Sequence, residues 1–507
     1  MKQKKSQLKT GIVLNYVNMI LGNLIPIFYT PIMLSLLGQS EYGLYKLSSS
    51  VTSYLSLISM GLGSAITRYL IKAHEEHGKE AEEKMFGLFC VIFNIIALAA
   101  LLIGAVLTAS LHHWYGASLN EPELHRMKIL VFLMVINMAL NFSQAPYLSA
   151  VTAHENFVFF QCMNVLQTCI APMLNLVALF VGAGSIGMTI ASMAMSIMTR
   201  IIYQIYVHKC MKLKLRLKGL PFQNIKEILG FSFWIFVANV VGQLYNATDT
   251  IMIGMVPALS TTGVAVYNVG VTMSNIIGGI STGVSSLIAP KTNKMVFQGA
   301  SGEELTDLAI RVGRIQGYIA ALLITGFIAF GRPFLQLYAG DGYEDSYWVA
   351  ICIAVPAIFH LVQSVCLAII VAENKHRFRS IVYLFIAVLN VIGTWYLMKV
   401  FGVIGAAAMS GFATILGQGI IMNWYYSKRT TLNMRRFWKS VGQVFWVPSI
   451  LCIITVIISR FVSFNDPIVL IIGIVAYSVI YVVLAWMTTL NSYEKELALG
   501  FIMRREK

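Results

Sequence analysis

Apolar runs of about 20 residues or more recur along almost the whole chain, broken by short segments that carry the charges. A helix that is apolar on every side is buried, either in a protein core or in lipid. Charge decides between the two. Only 12% of the 507 residues are Asp, Glu, Lys or Arg, while 57% are hydrophobic and the mean hydropathy is +0.73. A soluble domain carries roughly 25% charged residues. This chain has too few charges to cover a water-facing surface of its size, so lipid must be the outer solvent. The fold class that follows is all-α, a polytopic membrane protein with almost no domain outside the bilayer.

A spanning helix needs about 20 mostly apolar residues, and about 14 segments qualify. They are 10–37, 42–73, 85–111, 127–152, 156–181, 185–208, 227–256, 261–291, 311–339, 347–372, 378–400, 402–427, 440–460 and 468–490. Several exceed 25 residues, which implies tilt, kinks or extension past the bilayer. The basic start, MKQKKSQLKT, leads into an apolar run too long for a signal peptide, so that run reads as the first span.

Lys and Arg set the orientation. With the N-terminus inside, the inside segments are 2–9, 72–84, 209–226, 291–314, 375–379, 428–439 and 495–507. Together with Arg68 these hold about 30 of the 37 Lys and Arg residues. The outside loops hold few, and 340–346 (GDGYEDS) is acidic. Both termini are therefore expected in the cytoplasm. The net charge of +15 lies in these short loops, which points to a membrane protein and to no nucleic-acid partner. Six of the seven cysteines lie in apolar runs, Cys210 lies in a basic loop, and none forms a CxxC. They read as packing residues, with no disulfide framework and no zinc site.

The chain compared with itself matches weakly at an offset of about 218–220 residues. Gly11 pairs with Gly230, Gly22 and Leu24 with Gly242 and Leu244, and Ile32-Met33 with Ile251-Met252. Val51-Thr52 pairs with Val271-Thr272, Gly63 with Gly283, Glu155-Asn156 with Glu373-Asn374 and Phe160 with Phe378. GSIGMTIAS (184–192) pairs with GVIGAAAMS (402–410). Chance among apolar helices is the bland alternative, but a shared offset in constant order favours duplication. An offset of six spans makes the repeat parallel. The expected organisation is an N-terminal lobe (1–208), a basic linker (209–226), a C-terminal lobe (227–427) and an added hairpin with its tail (428–507). Two pseudo-symmetric six-helix lobes would enclose a central cavity.

Three stretches resemble a known family. PIMLSLLGQSEYGLYKLSSSV (31–51) and SMGLGSAITRYL (59–70) look like the start of bacterial polysaccharide flippases. FGVIGAAAMSGFATIL (401–416) is similar to that family's C-terminal region. These flippases belong to the multidrug/oligosaccharidyl-lipid/polysaccharide exporter superfamily. The resemblance covers nearly the whole chain. It implies a V-shaped, alternating-access carrier in the bacterial cytoplasmic membrane. The implied cargo is an undecaprenyl-diphosphate-linked oligosaccharide for capsule, exopolysaccharide or O-antigen. Polysaccharide polymerase and chain-length proteins are implied partners, besides membrane lipids. No cofactor is implied; the energy source stays open between a proton gradient, a sodium gradient and the membrane potential.

Ionisable residues within spans are the natural candidates for handling such a cargo, since each costs at least about 2.5 kcal/mol facing lipid. Lys46 lies in span 2, Arg68 at that span's cytoplasmic end, Arg200 in span 6 and Arg332 in the outer third of span 9. Each suits contact with a diphosphate. The structural alternative is snorkelling to headgroups, most credible for Arg68, Arg332 and Lys46. Asp249, in span 7, suits ion coupling or an outer gate, and equally a structural ion pair or helix cap. The related drug exporters use an acidic residue in span 1; here span 1 has no Asp or Glu, so that role does not carry over. Span 1 instead offers Asn15 and Asn18, with Asn23, for sugar hydroxyls or for interhelical bonds. Pro26 and Pro31 should bend it, and Gly278, Gly279 and Gly283 give span 8 a similar freedom. His112-His113 reads as a solvated loop, and Trp114, Trp348 and Trp438 as interfacial residues.

No GxxxxGK[ST] is present, so no phosphate cradle for ATP is expected. No long outside loop groups catalytic residues, which argues against a membrane polymerase or ligase and for a protein that is not an enzyme. The competing readings on the same fold are a lipid II flippase and a cation-coupled drug antiporter. Basic residues within spans outnumber Asp249, which disfavours the antiporter.

Overall fold

A computed structural model describes residues 2–373, 375 and 377–496. Asn374 of the repeat pairing and the tail beyond residue 496 lie outside the described residues. Those described are almost entirely helical, with no strand among them. In chain order the helices are α1 (Lys2–Ser53), α2 (Leu62–Tyr115), α3 (Glu121–Ala153), α4 (Phe157–Phe180), α5 (Gly184–Ile205), α6 (Ile225–Asn246), α7 (Thr248–Met255) and α8 (Ser260–Phe297). They continue as α9 (Gly302–Ala339), α10 (Asp345–Val362), α11 (Ser364–Ala372), α12 (Arg377–Thr414), α13 (Met422–Arg429), α14 (Met434–Gly442), α15 (Trp446–Ile458) and α16 (Pro467–Thr488).

Ten helical stretches among the described residues are long and apolar enough to cross a membrane, or eleven if a bent pair over 222–246 counts as one. Length and hydropathy therefore do not establish the expected fourteen. The difference has a physical source in single-glycine corners. The first stretch, Thr10–Tyr115, has 106 residues. A straight helix of that length would reach roughly 160 Å, against about 30 Å of hydrocarbon. Within it Gly38 (φ 74°) and Gly78 (φ 77°) break the helical backbone, and Gly402 (φ 59°) does so within Phe378–Arg429. A left-handed φ is cheap only for glycine. Each such residue turns one helix into the next without a loop, at positions where hydropathy separates two spans.

Lipid as outer solvent is visible on α16. Ile468, Ile471, Ile472, Val475, Val479 and Val482 are all exposed, a density of apolar side chains that water would not tolerate. The opposite face packs Tyr477 and Tyr481 with Phe330 of α9 and Leu451 and Cys452 of α15.

The chain divides into two compact units, Met1–Ala265 and Val266–Lys507. In the first, α2 packs along α3, α1 along α4, and α5 against both α3 and α4. Phe86, Phe89, Phe93, Tyr69 and Tyr203 fill one end of its core. In the second, α9 is the central post, packed by α10, α11, α14, α15 and α16, while α12 packs on α10.

The repeat has structural echoes inside each unit. Gly184 (φ 58°) and Gly402 (φ 59°), separated by the offset of the sequence matches, both take a positive φ. Eight residues on, Ser192 bonds Asn175 at 3.2 Å and Ser410 bonds Asn390 at 3.2 Å. Each pair satisfies a buried asparagine across two neighbouring helical segments.

The hairpin α15–α16 is fastened by a buried ion pair. Arg314 of α9 places Nε 2.6 Å from Glu494 Oε1 and Nη2 2.9 Å from Oε2. Its remaining donors reach the carbonyls of Ser440 and Thr489, at 2.9 and 2.6 Å, and the Tyr318 hydroxyl at 3.0 Å. Both side chains are about 95% buried (Arg314 is 5% exposed, Glu494 3%). Glu494→Ala leaves that guanidinium without a counter-charge and should cost about 3–5 kcal/mol. A lower melting temperature of the purified protein in detergent would report it, and an unchanged one would count against the assignment.

Candidate functional site

Two helix interruptions face each other in the first unit. α1 runs into a 3-10 turn, Tyr54–Ser59, closed by Met60 (φ 48°) and Gly61 (φ 70°). α6 stops at Asn246 and α7 restarts at Thr248. Broken backbone at membrane depth must find polar partners inside the protein. Gln243 supplies them: its Nε2 donates to the Ser53 carbonyl (3.3 Å) and to Ser56 Oγ (3.1 Å), and its Oε1 accepts from Ser53 Oγ (3.2 Å). The Tyr54 hydroxyl meets the Gln243 carbonyl at 3.4 Å and shares a short hydrogen bond with the Thr248 hydroxyl.

Asp249 sits in this setting, 2% exposed in the first turn of α7 between buried Thr248 and Thr250. A helix N-terminus favours a carboxylate there. Beyond it α7 is pinned at its other end, where Ser118 Oγ donates to the Gly254 carbonyl (2.7 Å). Gly43 meets the start of α8 so closely that a Cβ would lie 1.8 Å from the Thr261 carbonyl oxygen. Next to it Glu41 accepts from the Ser185 N–H and hydroxyl, both at 2.7 Å, and from Arg126 at 2.8 Å, which anchors the start of α5.

The basic candidates take two kinds of position. Lys46 is half-buried, with Nζ 5.5 Å from the Tyr42 ring centroid, and has no carboxylate within ion-pair distance among the described residues. Arg200 is half-buried beside Tyr147 and likewise lacks a carboxylate partner among them. Arg68 and Arg332 are exposed and stacked. Arg68 lies 4.5 Å over Phe231, and Arg332 lies 5.1 and 5.4 Å over Tyr347 and Trp348, within cation–π range. Arg332 also lines a cavity of about 410 Å³ with Gln336, Tyr343, Glu344, Asp345 and Asn465. In that loop, backbone N–H bonds from Glu344 itself and Gly342 hold the Glu344 carboxyl below the usual carboxylate range.

Asn15 and Asn18 meet α4 in place of each other. Gln161 Nε2 lies 3.4 Å from Asn15 Oδ1, and Thr168 Oγ1 donates to Asn18 Oδ1 at 2.7 Å. Asn23 turns back to the Met19 carbonyl at 2.8 Å. Sequence reasoning missed Gln243, Arg314 with Glu494, and the buried Glu82. Their partners lie far along the chain or in a charged run, 74–84, that reads as a solvated loop. Among the described residues no group of three or more His, Cys, Asp or Glu is placed to hold a metal.

A family model described as "Polysaccharide biosynthesis protein" matches residues 8–290. The "Uncharacterized membrane protein EpsK" of Bacillus subtilis (strain 168) is 22% identical over 452 residues, covering 84% of this chain and 84% of its own length. The "Putative O-antigen transporter" of Escherichia coli (strain K12) is 21% identical over 417 residues, covering 80% of this chain and 94% of its own. Among solved structures, the inward closed conformation of the lipid II flippase MurJ superposes with a TM-score of 0.73 at 15% identity. It covers 94% of this chain and 98% of that one, a likeness of fold.

Gln243→Leu removes three hydrogen bonds at the facing breaks and takes that partner from the half-buried Ser53 carbonyl and Ser56 hydroxyl. A loss of about 1–3 kcal/mol is expected, read as a lower melting temperature of the purified protein. Melting at the wild-type temperature would refute the role.

Proposed function

This chain belongs to the polysaccharide biosynthesis protein family, and we propose that it is a flippase for an undecaprenyl-diphosphate-linked oligosaccharide. It works by alternating access, carrying the headgroup from the cytoplasmic to the outer leaflet of a bacterial cytoplasmic membrane. The product supplies capsule, exopolysaccharide or O-antigen synthesis. Both termini are cytoplasmic on this reading, as the Lys and Arg distribution requires. Polymerase and chain-length proteins act on the delivered lipid. One relative supports the substrate class, its name being "Putative O-antigen transporter".

The observation that carries the proposal is the pair of half-buried cations without carboxylate partners among the described residues, Lys46 and Arg200. A bare charge within the hydrocarbon depth is retained against a cost of at least about 2.5 kcal/mol when a passing anion repays it. A diphosphate does so through charge-assisted hydrogen bonds, with Arg as a planar fork and Lys as a point charge. Arg68 and Arg332, stacked on aromatic rings, serve as headgroup contacts at the ends of the path. Asn15 and Asn18 offer the sugars amide groups beside their α4 partners. Asp249 serves as a gate or coupling carboxylate, placed where two broken helices meet and can bend. A proton or sodium gradient would act through it.

Removing a charge-assisted contact should cost about 1.5–3 kcal/mol, or roughly tenfold or more in transport. Lys46→Gln and Arg200→Gln are expected to lower surface polymer by that factor and to accumulate lipid-linked oligosaccharide in the inner leaflet, while Lys46→Arg retains most activity. Asp249→Asn should also block export. Wild-type polymer in the charge-removing variants, at wild-type protein levels, would overturn the assignment.

A further inference from the structure

The second unit holds a cation of the same kind as Lys46 and Arg200. Arg379 is half-buried in the first turn of α12, with no carboxylate within ion-pair distance among the described residues. Its guanidinium donates no hydrogen bond to any of them, and its Nε is enclosed without a partner. The carboxylate nearest in sequence, Glu373, lies 2.9 Å from Lys375 Nζ. Yet the side chain of Arg379 is held in place. Its Cζ lies 4.5 Å from the ring centroid of Tyr383, one turn along α12. Gln418 Nε2 donates a short hydrogen bond to the Tyr383 hydroxyl. Gln418 belongs to a π-helical turn, Ile415–Ile421, that packs on both α10 and α12. In turn, Asn423 Nδ2 donates to the Gln418 carbonyl at 3.2 Å, and Asn423 Oδ1 accepts from Gln363 Nε2 at 2.8 Å and from Trp438 Nε1 at 2.6 Å. The ring beside the guanidinium is therefore part of a connected polar network.

Three ordinary explanations of such an arginine fail. No ion pair is present among the described residues. Stacking satisfies the face of a guanidinium and leaves its five N–H groups, which lie in the plane, unanswered. Snorkelling into surrounding lipid would need Arg379 on the exposed apolar side of α12. That side is formed by Ile381, Phe385, Val388 and Ile392. Arg379 and Tyr383 continue instead, at helical spacing, into Ile386 and Asn390, both 0% exposed, on the opposite face. His360 of α10, close enough to interact with Arg379 electrostatically, brings an imidazole and no negative charge.

We infer that Arg379, stacked on a Tyr383 ring that Gln418 holds, is a phosphate-binding site of the second unit. A phosphate offers two oxygens to the planar fork of the guanidinium and the negative charge that its surroundings lack. Arg379 is the third residue of α12, and the positive end of a long helix adds to the attraction. The first half of the chain has a different group at the matching place. The offset that pairs Phe160 with Phe378 pairs Gln161 with Arg379, so an amide lying 3.4 Å from Asn15 in one half is a cation in the other. Two membrane components carry the required group. One is the diphosphate of the cargo, a source that rests on the flippase reading; the other is a phospholipid headgroup.

Binding to the full-length protein in detergent tests the site apart from transport. Lys46→Gln and Arg200→Gln are combined first, so that those cations do not contribute. Inorganic diphosphate should still bind this protein, and adding Arg379→Gln should weaken binding about tenfold or more. Arg379→Lys, which keeps the charge without the fork, should fall between the two. Equal affinity with and without Arg379→Gln overturns the site. In the absence of ligand, Arg379→Gln alone should melt near the wild-type temperature, because it removes no hydrogen bond and no ion pair. A variant that melts far below it, or does not fold, makes Arg379 a structural residue and overturns the site. Undecaprenyl diphosphate and phosphatidylglycerol then identify the source. Arg379→Gln should weaken one of them; weakened undecaprenyl diphosphate binding names the cargo, weakened phosphatidylglycerol binding names the membrane lipid, and a loss of neither overturns the site. A wild-type protein that transports no lipid-linked oligosaccharide in vesicles refutes the flippase reading, while the inorganic diphosphate result still decides the site.

Discussion

Hydrocarbon offers no hydrogen bonds, and the rest of this structure follows from that deficit. Each backbone N–H and C=O within the bilayer has to be satisfied inside the protein, which selects helices and makes any interruption expensive. Where the chain turns, it does so at one glycine in a left-handed conformation, as at Gly38, Gly78 and Gly402. Where a helix breaks within the protein, side chains take over. The turn Tyr54–Ser59 and the α6–α7 junction share the amide of Gln243 and the hydroxyls of Tyr54 and Thr248. Such places are polar and bendable while their surroundings are neither, which is why a buried carboxylate, Asp249, is tolerated beside one.

The same deficit sorts the charged residues by their company. Arg314 and Glu494 neutralise each other, with every nitrogen of the guanidinium hydrogen-bonded, and act as a fastener. Arg68 and Arg332 spread their charge over aromatic faces at exposed positions. Glu82 lies between two imidazoles, those of His74 and His154. Lys46 and Arg200 stand apart, half-buried without an acidic partner among the described residues. For a member of a polysaccharide biosynthesis family with the fold of a lipid flippase, charges of that last kind are the ones proposed to meet an anionic headgroup.

Much of the architecture was legible because lipid simplifies the code. A run of apolar residues at this length has one stable outcome. At the offset seen in the sequence, Gly184 and Gly402 both take a positive φ. Continuous helix length and composition do not by themselves establish fourteen spans, because a corner one residue wide, as at Gly38, Gly78 or Gly402, joins neighbouring helices into one stretch.

Sequence alone determined the solvent, the helical class, the membership of the family and the short list of intramembrane charges, since each depends on composition or on order along the chain. Only the tertiary structure decided which charges are answered. Arg314 finds Glu494 across 180 residues, Glu82 finds His154 across a helical turn-around, and Asn15 and Asn18 find α4. A partner's distance in space has no fixed relation to its distance along the chain. At membrane depth that unseen partner makes the difference between a structural bond and an unpaired charge.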